Sequence, residues 1–228
     1  MNQLSESAQN YLKAIYSLTR DGALATTNDL AGWLDIKPAS VTSMIQKLAE
    51  ADPPLVDYHK RQGASLTEAG SKAALEVIRG HRLLELFLME VLGYSWDEVH
   101  EEAERLEHAI TPALEARIAA RLGHPSHDPH GAPIPDRALR MPERSGQWLA
   151  DLEAGQHAVI SRVADEDPSL LRYLAATGLV PEAEFEVLFE DPNTGGLTIL
   201  IEGQDQLLAV KVAVGRHVRV SAIDLEPA

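Results

Sequence analysis

The chain has 228 residues, no cysteine and a formal net charge of −15. The lack of cysteine excludes disulfides, thiolate metal sites and cysteine nucleophiles, and it fits the reducing cytoplasm, where we expect the protein to be. No signal-peptide pattern opens the sequence and no apolar stretch is long enough to span a bilayer, so no membrane partner is expected. The length allows one large hydrophobic core or two to three small ones.

The acidic residues are concentrated toward the C-terminus. Residues 1–73 carry seven Lys and Arg against eight Asp and Glu, residues 74–141 carry seven against twelve, and residues 142–228 carry six against fifteen. The three segments therefore have net charges of −1, −5 and −9. The nearly neutral N-terminal third can still contact nucleic acid, whereas the acidic remainder needs water or cations around its carboxylates.

The N-terminal third is predicted to form three helices followed by a β-hairpin. Apolar residues recur at helical spacing over 8–18, and Gly22 ends the run. Thr27 can cap a second helix, and Pro38 can begin a third that reaches about Ala51. The segment LVDYHKRQGASLT then has two short β-type pieces around a basic tip. This order is typical of a winged helix-turn-helix.

The segment KPASVTSMIQKL is expected to be the DNA recognition helix. Val41, Ile45 and Leu48 would face the core, so that small hydroxyl and methyl groups are left to approach base edges and cationic groups to contact phosphates. The predicted DNA-binding residues are Lys37, Pro38, Ala39, Ser40, Thr42, Ser43, Lys47, Lys60 and Arg61. Such units also occur as plain packing modules, which is the alternative.

The middle of the chain is predicted to be entirely helical. Thr67 can cap a long helix, and the capping-box pattern at 95–98 can begin the next one. Thr111 can cap a third helix that Gly123 ends. The run LLELFLMEVL, at 83–92, is too apolar for a helix exposed on most sides, and a second copy of the chain would cover it.

The C-terminal part changes from helical to β periodicity. Residues 124–147 are rich in Pro and Gly, which predicts a flexible linker that includes His124, His127 and His130. The predicted strands are HAVISRV, EFEVLFE, LTILIEG, QLLAVKV and HVRVSAI. One helix, over 167–178, interrupts them. The pattern indicates a small SH3-like β-barrel with one inserted helix.

Two helical segments offer imidazoles and carboxylates at metal-ligand spacing. HEEAERLEH has two carboxylates and an imidazole at positions i, i+3 and i+4, and HRLLE sets a histidine and a glutamate one turn apart. The candidate ligands are Glu104, Glu107, His108, His81, Glu85 and His100. Oxygen and imidazole ligands without sulfur favour Mn²⁺, Fe²⁺ or Zn²⁺. The alternative is a solvated helix face with ion pairs such as Glu101–Arg105.

The winged helix, HRLLE, HEEAERLEH and the β-barrel tail together resemble the diphtheria-toxin-repressor family of metal-dependent transcriptional regulators. The family pattern, His-Arg-x-x-Glu followed by His-x-x-x-(Cys/Glu)-x-x-Glu-His, is matched in full, and the resemblance covers nearly the whole chain. The predicted fold is mainly α with a small β domain. It comprises a winged helix-turn-helix over 1–73, a helical metal-binding and dimerisation domain over 74–123, a linker over 124–147 and an SH3-like, FeoA-type barrel over 148–228.

The resemblance implies two metal sites. The activating site would take Glu104, Glu107, His108 and, from the first helix, Asn10. The ancillary site would take His81, Glu85, His100 and, from the barrel domain, Glu166. Metal would join the first helix to the dimerisation helices and so set the spacing of two winged helices.

Several positions depart from the family pattern. Iron-type members have methionine where Asn10 stands and cysteine where Glu104 stands, whereas manganese-type members have aspartate and glutamate. Glu104 therefore favours manganese, while Asn10 fits neither type. Lys13 stands where two-domain manganese members have a further glutamate ligand, and Ser169 stands where iron-type members have a glutamine ligand.

We therefore expect a metal-dependent transcriptional regulator, a repressor by resemblance, that controls manganese homeostasis or, alternatively, iron homeostasis. A homodimer would bind a palindromic operator in double-stranded DNA when Mn²⁺ is bound. Fe²⁺ is the alternative ion, and Zn²⁺, Co²⁺ or Cd²⁺ could substitute. No enzymatic activity is expected. The rival from another class is a dinuclear metal hydrolase, and a third possibility is a DNA binder whose metal only stabilises the fold.

Overall fold

The computed structural model describes residues 4–20, 22–142 and 146–223. Residues 143–145 of the predicted linker and both chain ends lie outside this described part. The chain divides into two compact units. The first holds the described residues of Met1–His81, Arg105–Glu115 and Pro135–Met141, and the second holds those of Arg82–Glu104, Ala116–Ile134 and Pro142–Ala228. None of the described helices is both long and apolar enough to cross a membrane.

The first unit opens with a winged helix-turn-helix, as predicted. Its elements are α1 (Glu6–Thr19), α2 (Thr27–Trp33), α3 (Pro38–Ala49), β1 (Val56–His59) and β2 (Gly63–Leu66). The cap of α2 is Thr26 rather than Thr27, because the Thr26 hydroxyl accepts from the Asp29 amide while the Asp29 carboxylate accepts from the Thr26 amide. The third helix ends at Ala49, two residues before the predicted Ala51.

The wing is joined to the helices by a backbone pair. Ala25 and Ala64 exchange both of their N–H···O bonds at 2.9 Å. Gly63 makes this pairing possible, since its φ is +145° and a side chain there would come within 2.7 Å of the Ala25 carbonyl oxygen. The apolar face of α3 contributes Val41 and Ile45, both fully buried, to the core beneath.

Helices follow the wing. α4 (Glu68–Leu92) begins where the Thr67 hydroxyl accepts from the Gly70 amide at 3.0 Å. α5 (Val99–Leu106) is followed by a 3₁₀ turn, Glu107–Ala109, and by α6 (Pro112–Arg121). The prediction that HEEAERLEH is one continuous α-helix is therefore wrong, because the α-helix ends before Glu107.

The second unit contains a six-stranded antiparallel sheet. Its strands are β3 (Gln147–Trp148), β4 (His157–Val163), β5 (Glu184–Glu190), β6 (Leu197–Ile201), β7 (Leu207–Val210) and β8 (Val218–Ala222), in the order β3-β8-β4-β5-β6-β7. The inserted helix is α7 (Pro168–Thr177), capped by Asp167 and ended by Gly178 at φ +78°. A one-turn helix that was not predicted, α8 (Val212–Gly215), precedes β8. Alternating side chains of the strands form the core of this unit.

Candidate metal centre

Glu107 is the centre of a buried charge cluster in the first unit. Its side chain is fully buried, and its two carboxylate oxygens lie 2.8 and 2.9 Å from the Lys13 ammonium. His81 Nδ1 donates to Glu107 Oε2 at 2.6 Å. Glu107 and His81, which the resemblance assigns to different metal sites, are therefore in direct contact.

The environment of Glu107 keeps its carboxylate charged. Burial by itself would raise the pKa of Glu107. The hydrogen bond from His81 and the positive charge of Lys13 outweigh burial and hold this pKa below its ordinary value. The anion is thus compensated by groups of the chain itself.

Two other predicted ligands of the first unit present acceptor atoms. His108 Nδ1 lies 2.6 Å from the Gln9 amide oxygen, which can only accept, so His108 carries its proton on Nδ1 and its lone pair on Nε2. This Nε2 is 3.5 Å from Glu107 Oε1. Asn10 Oδ1 is buried and accepts no hydrogen bond from the described residues. Each of these two atoms has a lone pair that it could offer to a ligand, whereas Glu107 is engaged by Lys13.

A second cluster surrounds Glu85, whose side chain is fully buried in the second unit. His100 Nδ1 donates to Glu85 Oε1 at 2.9 Å and lies 3.9 Å from Asp165 Oδ2. His100 Nε2 is 3.9 Å from Glu104 Oε1. Glu166, the ligand expected from the barrel domain, is exposed in this structure, and its neighbour Asp165 is the carboxylate that faces the cluster.

The segment HPSHDPH supplies two further groups to the same cluster. Asp128 Oδ1 accepts from the amides of His130 and Ala132, each at 2.9 Å, so the loop is folded around this carboxylate. Gly131, at φ +84°, lies so close to β4 that a side chain would overlap the Ser161 carbonyl oxygen. His130 is fully buried. The prediction that this histidine belongs to a flexible linker is wrong.

The hydrogen bonds of His130 fix which ring nitrogen can bind a ligand. Nε2 lies 3.0 Å from the Trp96 carbonyl oxygen, so it carries the proton and leaves the lone pair on Nδ1. This Nδ1 is 4.0 Å from Glu85 Oε1. The Trp96 indole donates to the Pro129 carbonyl, and its ring centroid is 5.3 Å from that of His130. Trp96 therefore holds the loop by its side chain as well as by its backbone.

Glu85, Asp128 and His130 form a buried group of three possible ligands. One ligand atom from each lies within 4.8 Å of the other two, and the same holds for Glu85, His100 and Asp165. Asp128 Oδ2 and His130 Nδ1 make no hydrogen bond with any residue that the structure describes. Converging buried acceptors need a cation or a proton between them, because their desolvation is otherwise uncompensated. The residues of this cluster fit a divalent cation.

The pKa of Asp128 shows the effect of placing several carboxylates together in a buried cluster. Burial and the neighbouring charge of Glu85 raise its pKa to about 8, and the Arg82 guanidinium, 3.5 Å from Oδ2, offsets only part of this. Without a metal, a proton is thus held on the carboxyl group near neutral pH.

The predicted DNA-binding residues lie on the surface of the first unit. Val41, Ile45 and Leu48 are buried as expected. The exposed residues are Lys37, Pro38, Ala39, Ser40, Ser43, Lys47, Lys60 and Arg61. Thr42 is half-buried, with its hydroxyl 3.5 Å from the Pro38 carbonyl oxygen.

Models of known protein families match the N-terminal, middle and C-terminal regions of the chain. Residues 3–64 match the model described as the iron dependent repressor N-terminal DNA binding domain, and residues 67–136 match the metal binding and dimerisation domain of iron dependent repressors. Residues 148–222 match the FeoA domain. The iron-dependent repressor IdeR of Mycobacterium tuberculosis (strain H37Rv) is 34% identical over 219 residues, which span 91% of this chain and 94% of IdeR. The chain belongs to the iron-dependent repressor family.

Solved structures agree with this membership. A manganese-dependent transcriptional repressor in complex with manganese has a TM-score of 0.87 and 36% identity, and the match covers 95% of this chain and all of that one. The repressor ScaR with bound Zn²⁺ has a TM-score of 0.78 and 30% identity, over 95% of this chain and 99% of ScaR. This family consists of metal-dependent, DNA-binding transcriptional repressors, and this chain is one of them. The alternative of a metal hydrolase is therefore excluded.

Proposed function

We propose that this repressor responds to manganese, and that the responsive site is formed by Glu85, Asp128 and His130, extended by His100 and Asp165. The observation that carries the proposal is the convergence of three fully buried acceptor side chains within 4.8 Å of one another. We place Asp165, rather than Glu166, among the ligands because its carboxylate faces His100.

The ligand set supports manganese. Carboxylate oxygens with imidazole nitrogen and no sulfur suit Mn²⁺ and Fe²⁺, and the excess of oxygen favours the harder ion. One similar structure contains manganese and another contains zinc. Fe²⁺ is the alternative in this chain, and Zn²⁺, Co²⁺ or Cd²⁺ are expected to act as surrogates.

The residues around the site are arranged to bind a cation with little rearrangement. The clustered carboxylates would be offset by the positive charge of a divalent cation. Asp128 would have to release its proton to serve as a ligand. The Trp96 carbonyl keeps His130 in the tautomer with a lone pair on Nδ1, and the Asp128-centred turn keeps the loop in place.

The domain division and the assembly are part of the same proposal. The family matches over residues 3–64, 67–136 and 148–222 support domains over 1–73, 74–123 and 148–228, and the segment 124–147 would contribute ligands as well as a connection. Two exposed apolar side chains, Leu92 at the end of α4 and Tyr94 just after it, favour a homodimer. Two copies of α3 would then enter successive major grooves of a palindromic operator.

The test is manganese-dependent selection of duplexes from a random-core DNA library, followed by affinity measurement on the selected sequence. Wild type should select a palindrome and bind it much more tightly with Mn²⁺ than with a chelator. His130→Gln should lose most of this dependence. His127→Gln, in the same loop but exposed, should keep it. Equal binding by wild type with metal and with chelator would contradict the proposal, and a response to Fe²⁺ alone would identify iron as the ion.

A further inference from the structure

The contact between Lys13 and Glu107 places a cation of the chain itself on a predicted metal ligand. The ammonium lies within 2.9 Å of both carboxylate oxygens. The Glu107 side chain is fully buried and that of Lys13 is 17% exposed. Little water can therefore screen this pair, and the ammonium supplies much of the positive charge that the carboxylate needs.

A divalent cation on Glu107 would have to compete with this ammonium. Both bind the same two oxygens, and two cations a few ångströms apart repel one another strongly where water is excluded. Metal binding at Glu107 therefore requires Lys13 to leave the carboxylate. In the cluster at Glu85, the cation beside Asp128 is Arg82, which lies 3.5 Å from Oδ2 without a hydrogen bond to this oxygen.

We propose that Lys13 is a resident counter-cation that makes Glu107 the weaker of two metal sites, so that manganese fills the Glu85–Asp128–His130 cluster first. The proposal rests on the function proposed above. It gives an order of filling to the site that the family resemblance places at Glu107 and to the cluster proposed above.

The site at Glu107 is latent rather than absent. Within the described part of the chain Asn10 Oδ1 accepts no hydrogen bond, and His108 holds its lone pair on Nε2, 3.5 Å from Glu107 Oε1. The family resemblance assigns both residues to this site, so they are the expected further ligands once the ammonium has moved away. Lys13 can make this movement, because its side chain is long, flexible and already partly exposed.

Lys13 also joins α1 to the 3₁₀ turn at Glu107 without any metal. A link between the first helix and this turn is what metal was expected to provide. In this chain an internal ion pair makes that link already, so loading of the Glu107 site replaces one link with another.

The test counts Mn²⁺ bound to the full chain by equilibrium dialysis with elemental analysis. Wild type should show a tight class of sites and a weak class. Lys13→Gln should tighten the weak class by about tenfold or more, because the competing charge is gone. Lys13→Arg keeps the charge and should behave as wild type. Lys72→Gln removes the same charge from an exposed pair with Glu68 in the first unit and should change nothing.

Two ligand variants make the test independent of how well Lys13→Gln folds. Asp128→Asn should remove the tight class and leave the weak one, and Glu107→Gln should do the reverse. Loss of the tight class in Glu107→Gln but not in Asp128→Asn would overturn the proposal, as would wild-type affinities in a folded Lys13→Gln protein. If both ligand variants kept the tight class, the proposed metal centre would fail, and the comparison of Lys13→Gln with Lys13→Arg would still decide the role of Lys13.

Discussion

Glu107 and Asp128 are both buried carboxyl groups, but the chain compensates them differently. Glu107 is paired with Lys13 and His81, which keep it charged. Asp128 faces Glu85 and His130, and its raised pKa means that a proton neutralises it. Removing one partner of a buried ion pair typically costs about 3–5 kcal/mol, whereas a bound proton can be exchanged for a metal near neutral pH. Asp128 is therefore the better suited of the two to sense a cation.

This difference predicts the pH dependence of manganese binding. The folded-state pKa of Asp128 is about 8, so below that pH each bound ion must displace a proton. The dissociation constant for Mn²⁺ at this site should fall by about tenfold for each pH unit gained up to pH 8 and then level off. Calorimetry in buffers of different ionisation enthalpy would measure both the affinity and the proton released. A pH-independent affinity between pH 6 and 8 would contradict this assignment.

The same pKa affects the stability of the metal-free chain. The pKa of Asp128 is higher in the folded chain than in the unfolded chain, so the folded state binds the proton more tightly. The resulting contribution to the free energy of unfolding is complete at low pH. It is lost as the pH rises through about 8. We expect the melting temperature of metal-free wild type to fall more steeply with rising pH than that of Asp128→Asn. Thermal melts of the two proteins in the same buffers give the difference, and equal slopes would refute the prediction.

Among the elements, those with strong local signals could be predicted and the loop that holds Asp128 and His130 could not. The bounds of α7 follow from Asp167, Pro168 and Gly178, and β4 and β5 follow from alternation of apolar residues. The loop around Asp128 is ordered by tertiary contacts with Trp96 and β4, which leave no periodic trace in the sequence. An Asp followed by glycine three residues later is the local signal that was available, since Asp128 accepts from nearby amides and Gly131 adopts a positive φ.

The candidate site was predicted only in part, because helical spacing is visible in the sequence and tertiary contacts are not. HRLLE and HEEAERLEH identified Glu85 and His100 by helical spacing, and the structure brings these two side chains together. Glu166 was chosen by family resemblance, but the backbone before α7 turns Asp165 toward His100 instead. Spacing predicts partners within one helix, whereas it does not determine which of two adjacent loop carboxylates faces a cluster.

A glycine substitution tests whether the loop is a rigid support for the metal. In Gly131→Ala the new side chain would overlap the Ser161 carbonyl oxygen, so the loop must shift and move His130. We expect a loss of about 1–3 kcal/mol in the free energy of unfolding and weaker Mn²⁺ binding. Gly123→Ala is the matched control, since φ is +75° and no atom of the described residues lies within 4 Å of the added carbon. Chemical denaturation gives the free energy of unfolding, and dialysis gives the Mn²⁺ affinity. Equal Mn²⁺ affinity in the two variants would show that the loop adapts freely.

The whole molecule is strongly acidic and nevertheless binds DNA. Its charge of −15 opposes approach to a polyanion. The exposed cationic groups of the winged helix are few, Lys37 and Lys47 around α3 and Lys60 and Arg61 at the wing tip. DNA affinity should therefore depend on these few phosphate contacts and on a divalent cation that reduces the net negative charge.

Salt dependence measures this contribution. Removing the wing-tip charges in a Lys60→Gln, Arg61→Gln double variant should flatten the plot of log affinity against log salt by roughly 0.9 for each phosphate that the wing no longer neutralises. The double variant Lys211→Gln, Arg216→Gln removes the same charge from the second unit, where both side chains are exposed. Fluorescence anisotropy on the selected operator at several salt concentrations would give the slope for each double variant. Equal slopes for the two double variants would show that the wing does not contact the backbone of DNA.

The carbonyl of His130 accepts the amide of Val163, the last residue of β4, at 2.9 Å. The residue whose imidazole is the proposed metal ligand is thus also a backbone partner of the strand. Tightening the loop must slow the opening of this one hydrogen bond, while amides deep in the sheet exchange at rates set by unfolding of the sheet. Deuterium uptake at Val163 becomes a local gauge of occupancy, readable in the intact repressor without any DNA.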